Sequence, residues 1–330
     1  MANALGRRSF AAALGAVALA AASPLRAQPQ RPLRVGWLSS EQRSSPSPNL
    51  ASFREGLREL GRVEGSRLKI EPWWGEGSAE RMTQLAAEVV RSQPAIVVAS
   101  GGLAVFALRG AGATMPIVFS MSADPVQAGV IESFARPGGN LTGISLFTLA
   151  LVGKRLELLK ETLPSARRIA AIANPQHPGE ANERDAVQRA AASLQLAMRY
   201  FPVQSAAELD AALAEIRRGR DDAVVAFADG FTLGFAGRLA SFSLESRIPV
   251  VDGWASFARA GNLMTYGPVI EDVHRRLAVY VDKIANGARP ADLPVELPTR
   301  LELVVNAKTA TLLGITIPRS VLSRADEIVR

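Results

Sequence analysis

The run Ala95-Ile96-Val97-Val98-Ala99 constrains this chain more than any other feature. It is apolar at every position, so as a strand it must be covered on both faces. That is the condition of a parallel sheet packed between helices. The run ends at Ser100-Gly101-Gly102, and an apolar, helix-forming segment follows at once. A second such run, Ala223-Val224-Val225-Ala226-Phe227-Ala228, ends at Asp229-Gly230. Fully apolar strands, each stopped by a small polar turn and followed by a helix, predict an α/β chain.

Each run sits in a longer series of alternating strands and helices. The first series predicts strands at residues 33–38, 68–73, 95–99 and 116–119. Between them lie an amphipathic helix from about 49 to 60, stopped at Gly61, and a helix capped by Ser78 with Leu85, Ala86, Val89 and Val90 on its apolar side. The second series predicts strands at 168–173, 196–203, 223–228 and 249–251, with helices at 151–162, 180–194 and 205–218. Two such series predict two doubly wound parallel-sheet lobes. The glycine-rich segment 138–143 reads as one crossover, and 261–267, with a strand at 264–266, as a second. The helix at about 270–285 is expected to return to the first lobe. The lobes are then residues 28–143 plus about 267–290, and residues 144–266. Residues 291–330 read as a third crossing, with a strand at 301–305, and C-terminal helices; either lobe could hold them.

The first 27 residues read as a signal peptide. Arg7-Arg8-Ser9-Phe10 precedes the apolar run 11–22, Pro24 breaks it, and Ala27 offers a small residue for cleavage. The run is shorter than the ~20 apolar residues a membrane span needs. Paired arginines ahead of a weakly apolar core predict the twin-arginine route to the periplasm; a general secretory signal with two chance arginines is the competing reading. The chain has no cysteine, so a disulfide, a thiolate metal site and a lipid anchor on an amino-terminal cysteine are all excluded. Its two histidines, His177 and His274, are far apart in sequence, which argues against a histidine zinc site. Beyond residue 27 the chain carries 35 basic and 31 acidic residues, with no dense basic run interleaved with aromatics. Nucleic acid is therefore not an expected partner.

Ligands of open α/β sheets bind beyond the carboxyl ends of the strands. Those ends nominate Ser39, Ser40, Ser100, Gly101, Gly102 and the segment from Ser120 to Asp124 from the first series, and Asn174, Asp229 and Asp252 from the second. Ser100-Gly101-Gly102 exposes backbone N–H groups at a positive helix end, a seat for a carboxylate. Asp229 and Asp252 suit an ammonium or hydroxyl groups. Each also has a plainer reading: Ser100 as a helix cap, the glycines as a tight turn, and the three aspartates as turn or capping residues. Trp37, Phe231, Trp254, Phe257 and Tyr266 offer stacking surface or core. No nucleophile–base pair stands among the candidates. The dinucleotide, P-loop and serine-hydrolase glycine signatures are absent. Binding without catalysis, cofactor or metal is the expectation.

Several segments together carry a family resemblance. They are Phe53-Arg54-Glu55-Gly56-Leu57-Arg58-Glu59-Leu60-Gly61, Pro116-Ile117-Val118-Phe119, Asp124-Pro125-Val126 and Arg136-Pro137-Gly138-Gly139-Asn140-Leu141-Thr142-Gly143. Further on stand Gly153-Lys154-Arg155-Leu156-Glu157-Leu158-Leu159-Lys160, Tyr266-Gly267-Pro268 and Leu293-Pro294-Val295-Glu296-Leu297-Pro298-Thr299. In this order, over about residues 33–329, the chain resembles the ABC transporter substrate-binding family that includes tryptophan-binding lipoproteins. The resemblance implies a type I periplasmic binding fold, with ligand held between two lobes joined by a three-stranded hinge; the carboxylate seat on one lobe and the acids on the other point to a small, amino-acid-like ligand. It implies a permease and an ATPase as partners of a monomeric periplasmic protein, and ligand contacts at Asp124, Asp229 and Asp252. The competing expectation is a periplasmic sensor that presents its closed form to a membrane receptor.

Overall fold

The computed structural model describes residues 32–330, apart from 44–46, 66 and 147. The expected leader, residues 1–27, lies outside the described residues. The first sheet contains β1 (Leu33–Ser39), β2 (Leu68–Trp74), β3 (Ile96–Ser100), β4 (Ile117–Met121) and β5 (Leu141–Ser145). They lie in the order β2-β1-β3-β4-β5, all parallel. The second sheet contains β6 (Arg168–Ala173), β7 (Ala197–Pro202), β8 (Ala223–Ala226), β9 (Val250–Asp252), β10 (Met264–Pro268), β11 (Leu301–Asn306) and β12 (Glu327–Val329). Its order is β12-β11-β10-β9-β8-β6-β7, and only β10 and β11 run antiparallel. From β6 to β10 the second sheet repeats the strand order of the first, so each lobe is the doubly wound unit that its apolar strands require.

Helices cover both faces of each sheet. On the first, Trp37, Phe53, Leu57, Leu277 and Tyr280 form one core beneath helices Pro48–Glu59 and Ile270–Ala285. Leu38, Met82, Val97 and Phe119 form the other, beneath helices Ala79–Ser92 and Gly102–Gly110. On the second sheet, Leu156, Leu159, Val187 and Val305 pack on one side, and Leu213, Leu239, Phe242 and Phe257 on the other. Every residue of β3, β4, β8 and β9 is buried, as a strand covered on both faces must be. At about 1.5–3 kcal/mol for each large apolar side chain, these four clusters supply the main drive for folding.

The chain crosses between the lobes three times: after β5 into helix Thr148–Thr162, after β10 into helix Ile270–Ala285, and between Glu296 and β11. The sequence reading of 138–143 as a bare crossover misses β5. Gly143 lies inside that strand at φ +150, and a side chain there would overlap the backbone of Phe119 on β4. The glycine is a close-approach residue within a sheet, and the crossing follows Ser145. The C-terminal strands β11 and β12 extend the second sheet, and the return helix Ile270–Ala285 packs against helix Pro48–Glu59 on the first.

Candidate functional site

The carboxyl ends of β1, β3 and β4 face those of β6, β8 and β9 across a cleft. A narrow cavity of about 40 Å³ lies between them, lined on one side by Ser40, Glu41, Ser100–Gly102, Ser120 and Ser122. His177, Asp229, Phe231 and Trp254 line the other side, and His274 and Ile270 close the end. That space holds only a few waters, so any solute must enter with the lobes parted.

The two walls touch. Ser122 Oγ and His177 Nε2 are 2.7 Å apart, and Asn182 Nδ2 donates to Gln127 Oε1 at 3.1 Å. Glycines permit the closest approaches. A Cβ on Gly179 would lie 2.7 Å from the Cβ of Ala123, one on Gly230 would lie 2.7 Å from Ser40 Oγ, and one on Gly102 would lie 3.3 Å from Pro178. The structure is therefore that of the closed form.

On the first wall, β3 delivers Ser100 and helix Gly102–Gly110 begins immediately. The residue preceding the helix is Gly101, at φ +100, a conformation that favours glycine. A side chain there would also overlap Ser40 Oγ. Ser100 does not cap the helix. Its hydroxyl lies 3.3 Å from His274 Nε2, and His274 Nδ1 lies 2.9 Å from the Ile270 carbonyl. The carbonyl only accepts, so Nδ1 carries the ring proton and Nε2 accepts from Ser100. Burial holds the His274 pKa down at about 4, which keeps it neutral. Among the described residues no side chain bonds the first N–H groups of the helix, and they open onto the cavity.

On the opposite wall, Asp229 caps helix Gly230–Leu233. Its Oδ1 accepts from Thr232 N at 2.6 Å and from Thr232 Oγ1 at 2.9 Å. Asp229 thus has the capping role and a place on the cavity wall at once. Burial raises its pKa; His177 and the Thr232 hydrogen bonds oppose that rise. Glu41, directly after Ser40, meets Asn49 and is pushed up to about 7 by burial against the hydrogen bonds of Asn49 and Ser39.

The remaining candidates lie elsewhere. Ser39 is buried at the end of β1, where its Oγ accepts from Glu41 N. Asn174 turns the chain after β6, accepting from Gln176 N at 3.0 Å. Asp124 accepts from Val126 N and Gln127 N and borders a separate groove with Phe134 and Leu149. Asp252 is fully buried behind the cavity wall; its Oδ1 accepts from Trp254 N at 2.8 Å, and its Oδ2 has no partner among the described residues. It belongs to a charged cluster with Arg155 and Glu183. Arg155 Nε donates to the Tyr266 carbonyl on β10 at 2.8 Å, and Nη1 lies 3.7 Å from Glu183. Burial raises Asp252 to about 7 and Glu183 to about 8, with Arg155 opposing both. The cluster ties helix Thr148–Thr162, after the first crossing, to β10, before the second.

Of the aromatic candidates, Phe231 and Trp254 line the cavity, whereas Trp37 and Phe257 are core. Glu41, Asn49, His177 and His274 line the wall without having been read from the sequence, whereas Ser120 and Ser122 belong to the strand end 120–124 that was. Glu41 had a signal, since it directly follows a candidate strand end. The histidines had none beyond their scarcity. Among the described residues no cluster suits a metal ion, and no helix is long and apolar enough to cross a membrane.

Residues 46–329 match the family described as ABC transporter substrate binding protein. The chain is 22% identical over 257 residues to a tyrosine-binding protein of Clostridioides difficile, covering 78% of this chain and 74% of that one. It superposes at a TM-score of 0.83 on a conserved domain protein of Vibrio cholerae, with 26% identity, over 89% of this chain and 99% of the other. A Streptococcus pneumoniae ABC domain in complex with L-Trp gives 0.82 at 24% identity, over 90% and 100%. The two-lobed type I periplasmic binding fold expected from the sequence is the fold observed.

Proposed function

The chain belongs to the ABC transporter substrate binding proteins, and from that premise we propose that it binds an amino acid between its lobes for import. The observation that carries the reading is the cavity wall. An uncapped helix N-terminus at Gly102 on one wall faces the acid Asp229 on the other, so one side of the cleft suits a carboxylate and the other an ammonium. A zwitterion matches both ends without leaving a buried charge unpaired. Trp254 and Phe231 supply an apolar surface for a side chain. The names of the relatives that bind tyrosine and L-Trp agree with that class.

In this account the solute enters the parted lobes, closure completes its contacts, and a permease with its ATPase reads the closed form. The chain acts as a monomer, holds its solute without chemistry, and reaches the periplasm through a twin-arginine leader at residues 1–27. Native mass spectrometry of the purified protein, followed by calorimetric titration with the twenty amino acids, tests the solute class. A 1:1 complex with one or a few of them is expected. Selective binding of a sugar or a nucleoside instead would refute it.

A further inference from the structure

We infer that Ser122 and His177 form a latch that holds the lobes closed, and that it engages only while His177 is neutral. The inference rests on the reading that solute is bound by lobe closure. Ser122 follows β4 in the first lobe and His177 follows β6 in the second. Their side chains meet at 2.7 Å, both buried, and both line the cavity.

The proton positions follow from a third group. Gly179 N–H donates to His177 Nδ1 at 3.3 Å. An N–H can only donate, so Nδ1 is bare and the ring proton sits on Nε2. Nε2–H therefore donates across the cleft to Ser122 Oγ. The serine hydroxyl keeps its own proton free to turn toward a solute. A second proton on the ring would have to sit on Nδ1, facing the Gly179 N–H. Two donors would then oppose each other, and a cation would be enclosed between the lobes.

The groups around the ring do not rescue that cation. Asp229 and Glu180, on the same lobe, favour it, but burial outweighs them and the pKa of His177 is lowered. The first-lobe groups against the ring, Ser122 and Gly102, carry no charge. Parting the lobes returns the ring to water and to an ordinary pKa of about 6.5. Closure is thus fully supported above about 6.5 and loses ground as the pH falls toward the depressed value. Glu41 and Asp229, on the same cavity, have raised pKa values and act in the opposite direction. The histidine contribution is therefore read as a difference between wild type and a variant.

The test is calorimetric titration of the full chain with L-tryptophan and L-tyrosine at pH 7.5 and 5.5. Wild type is compared with Ser122→Ala and His177→Gln. At pH 7.5 both variants should bind about five- to tenfold more weakly, with melting temperatures close to wild type. Between pH 7.5 and 5.5 wild type should lose up to about tenfold that His177→Gln does not lose, from one open-state group with a pKa near 6.5. Wild-type affinity in Ser122→Ala, or superimposable pH profiles for wild type and His177→Gln, overturns the latch. If neither of these two binds, the same titrations use whichever of the other amino acids the calorimetric screen identifies. If none of the twenty binds, the solute class fails, and the titrations use the solute that native mass spectrometry detects on the purified protein. With either probe, weaker binding by both variants at pH 7.5 and a pH loss confined to wild type support the latch, and equal affinities or equal pH profiles overturn it.

Discussion

Replacing Gly179 by alanine should impair solute binding while leaving each lobe intact. Gly179 precedes helix Glu180–Ser193 at φ −101, a conformation alanine adopts freely, so the backbone is not strained by the change. It does not line the cavity. Its added Cβ would instead meet the opposite lobe, 2.7 Å from Ala123 Cβ and 3.0 Å from Ala123 Cα. Both partners are short and one is backbone, so neither can rotate away. Relief requires the lobes to stop short of full closure by a substantial fraction of an ångström. Overpacking of this kind costs about 1–3 kcal/mol, which converts at 1.4 kcal/mol per decade into about five- to 150-fold weaker binding. In the open form the methyl group faces solvent, and alanine in place of glycine at a helix cap costs under ~1 kcal/mol. The melting temperature of the unliganded protein should therefore fall by no more than about 4 °C. Calorimetric titration with the amino acid that binds wild type, together with differential scanning calorimetry, measures both quantities. Wild-type affinity in Gly179→Ala would mean that the closed contact at Ala123 is not part of the bound state.

Two further substitutions separate charge from architecture. Asp229→Asn retains an oxygen to accept from Thr232 N but removes the negative charge, so it should weaken amino-acid binding by about tenfold or more, ~1.4 kcal/mol, with an unchanged melting temperature; equal loss of stability would reduce Asp229 to a helix cap. Glu183 is raised by burial from 4.5 to about 8, so it binds a proton in the folded chain that the unfolded chain has already released. Its contribution to stability is fully present below the unfolded value and is lost as the pH rises toward 8. Glu183→Gln should therefore melt above wild type at pH 8 and close to it at pH 5, and a constant difference between the two pH values would contradict the sign.

The strands that build the lobes were legible because burial on both faces leaves little room for polar residues. Residues 95–99 and 223–228 are readable for that reason, and so is the doubly wound class. β5 was not, because Thr142, Gly143 and Ser145 alternate with only two apolar residues, and its glycine is required by the Phe119 backbone, which no local pattern reveals. β12 is three residues of an edge strand and shows no period. The strand-to-helix turn after Ser100 was legible, since strand, Gly-Gly and helix follow one another in sequence. The engagement of Ser100 with His274 was not, because 174 positions separate them.

Asp229 and Asp252 show the limit of local reading most clearly. Both precede glycine at a strand end, and the sequence gives no ground for telling them apart. Arg155, on the first helix of the second lobe, lies close enough to draw Asp252 into a buried cluster, while Asp229 stays on the cavity wall. His177 and Ser122 come together only when one lobe is laid against the other, so their pairing belongs to tertiary structure alone.

The claim at the centre of this account is that solute binding and lobe closure are one event. Small-angle scattering of the full chain, recorded without solute and with a saturating amino acid identified by calorimetry, measures that event directly. The account predicts a smaller radius of gyration with solute than without it. Binding established by calorimetry with superimposable scattering curves would contradict it.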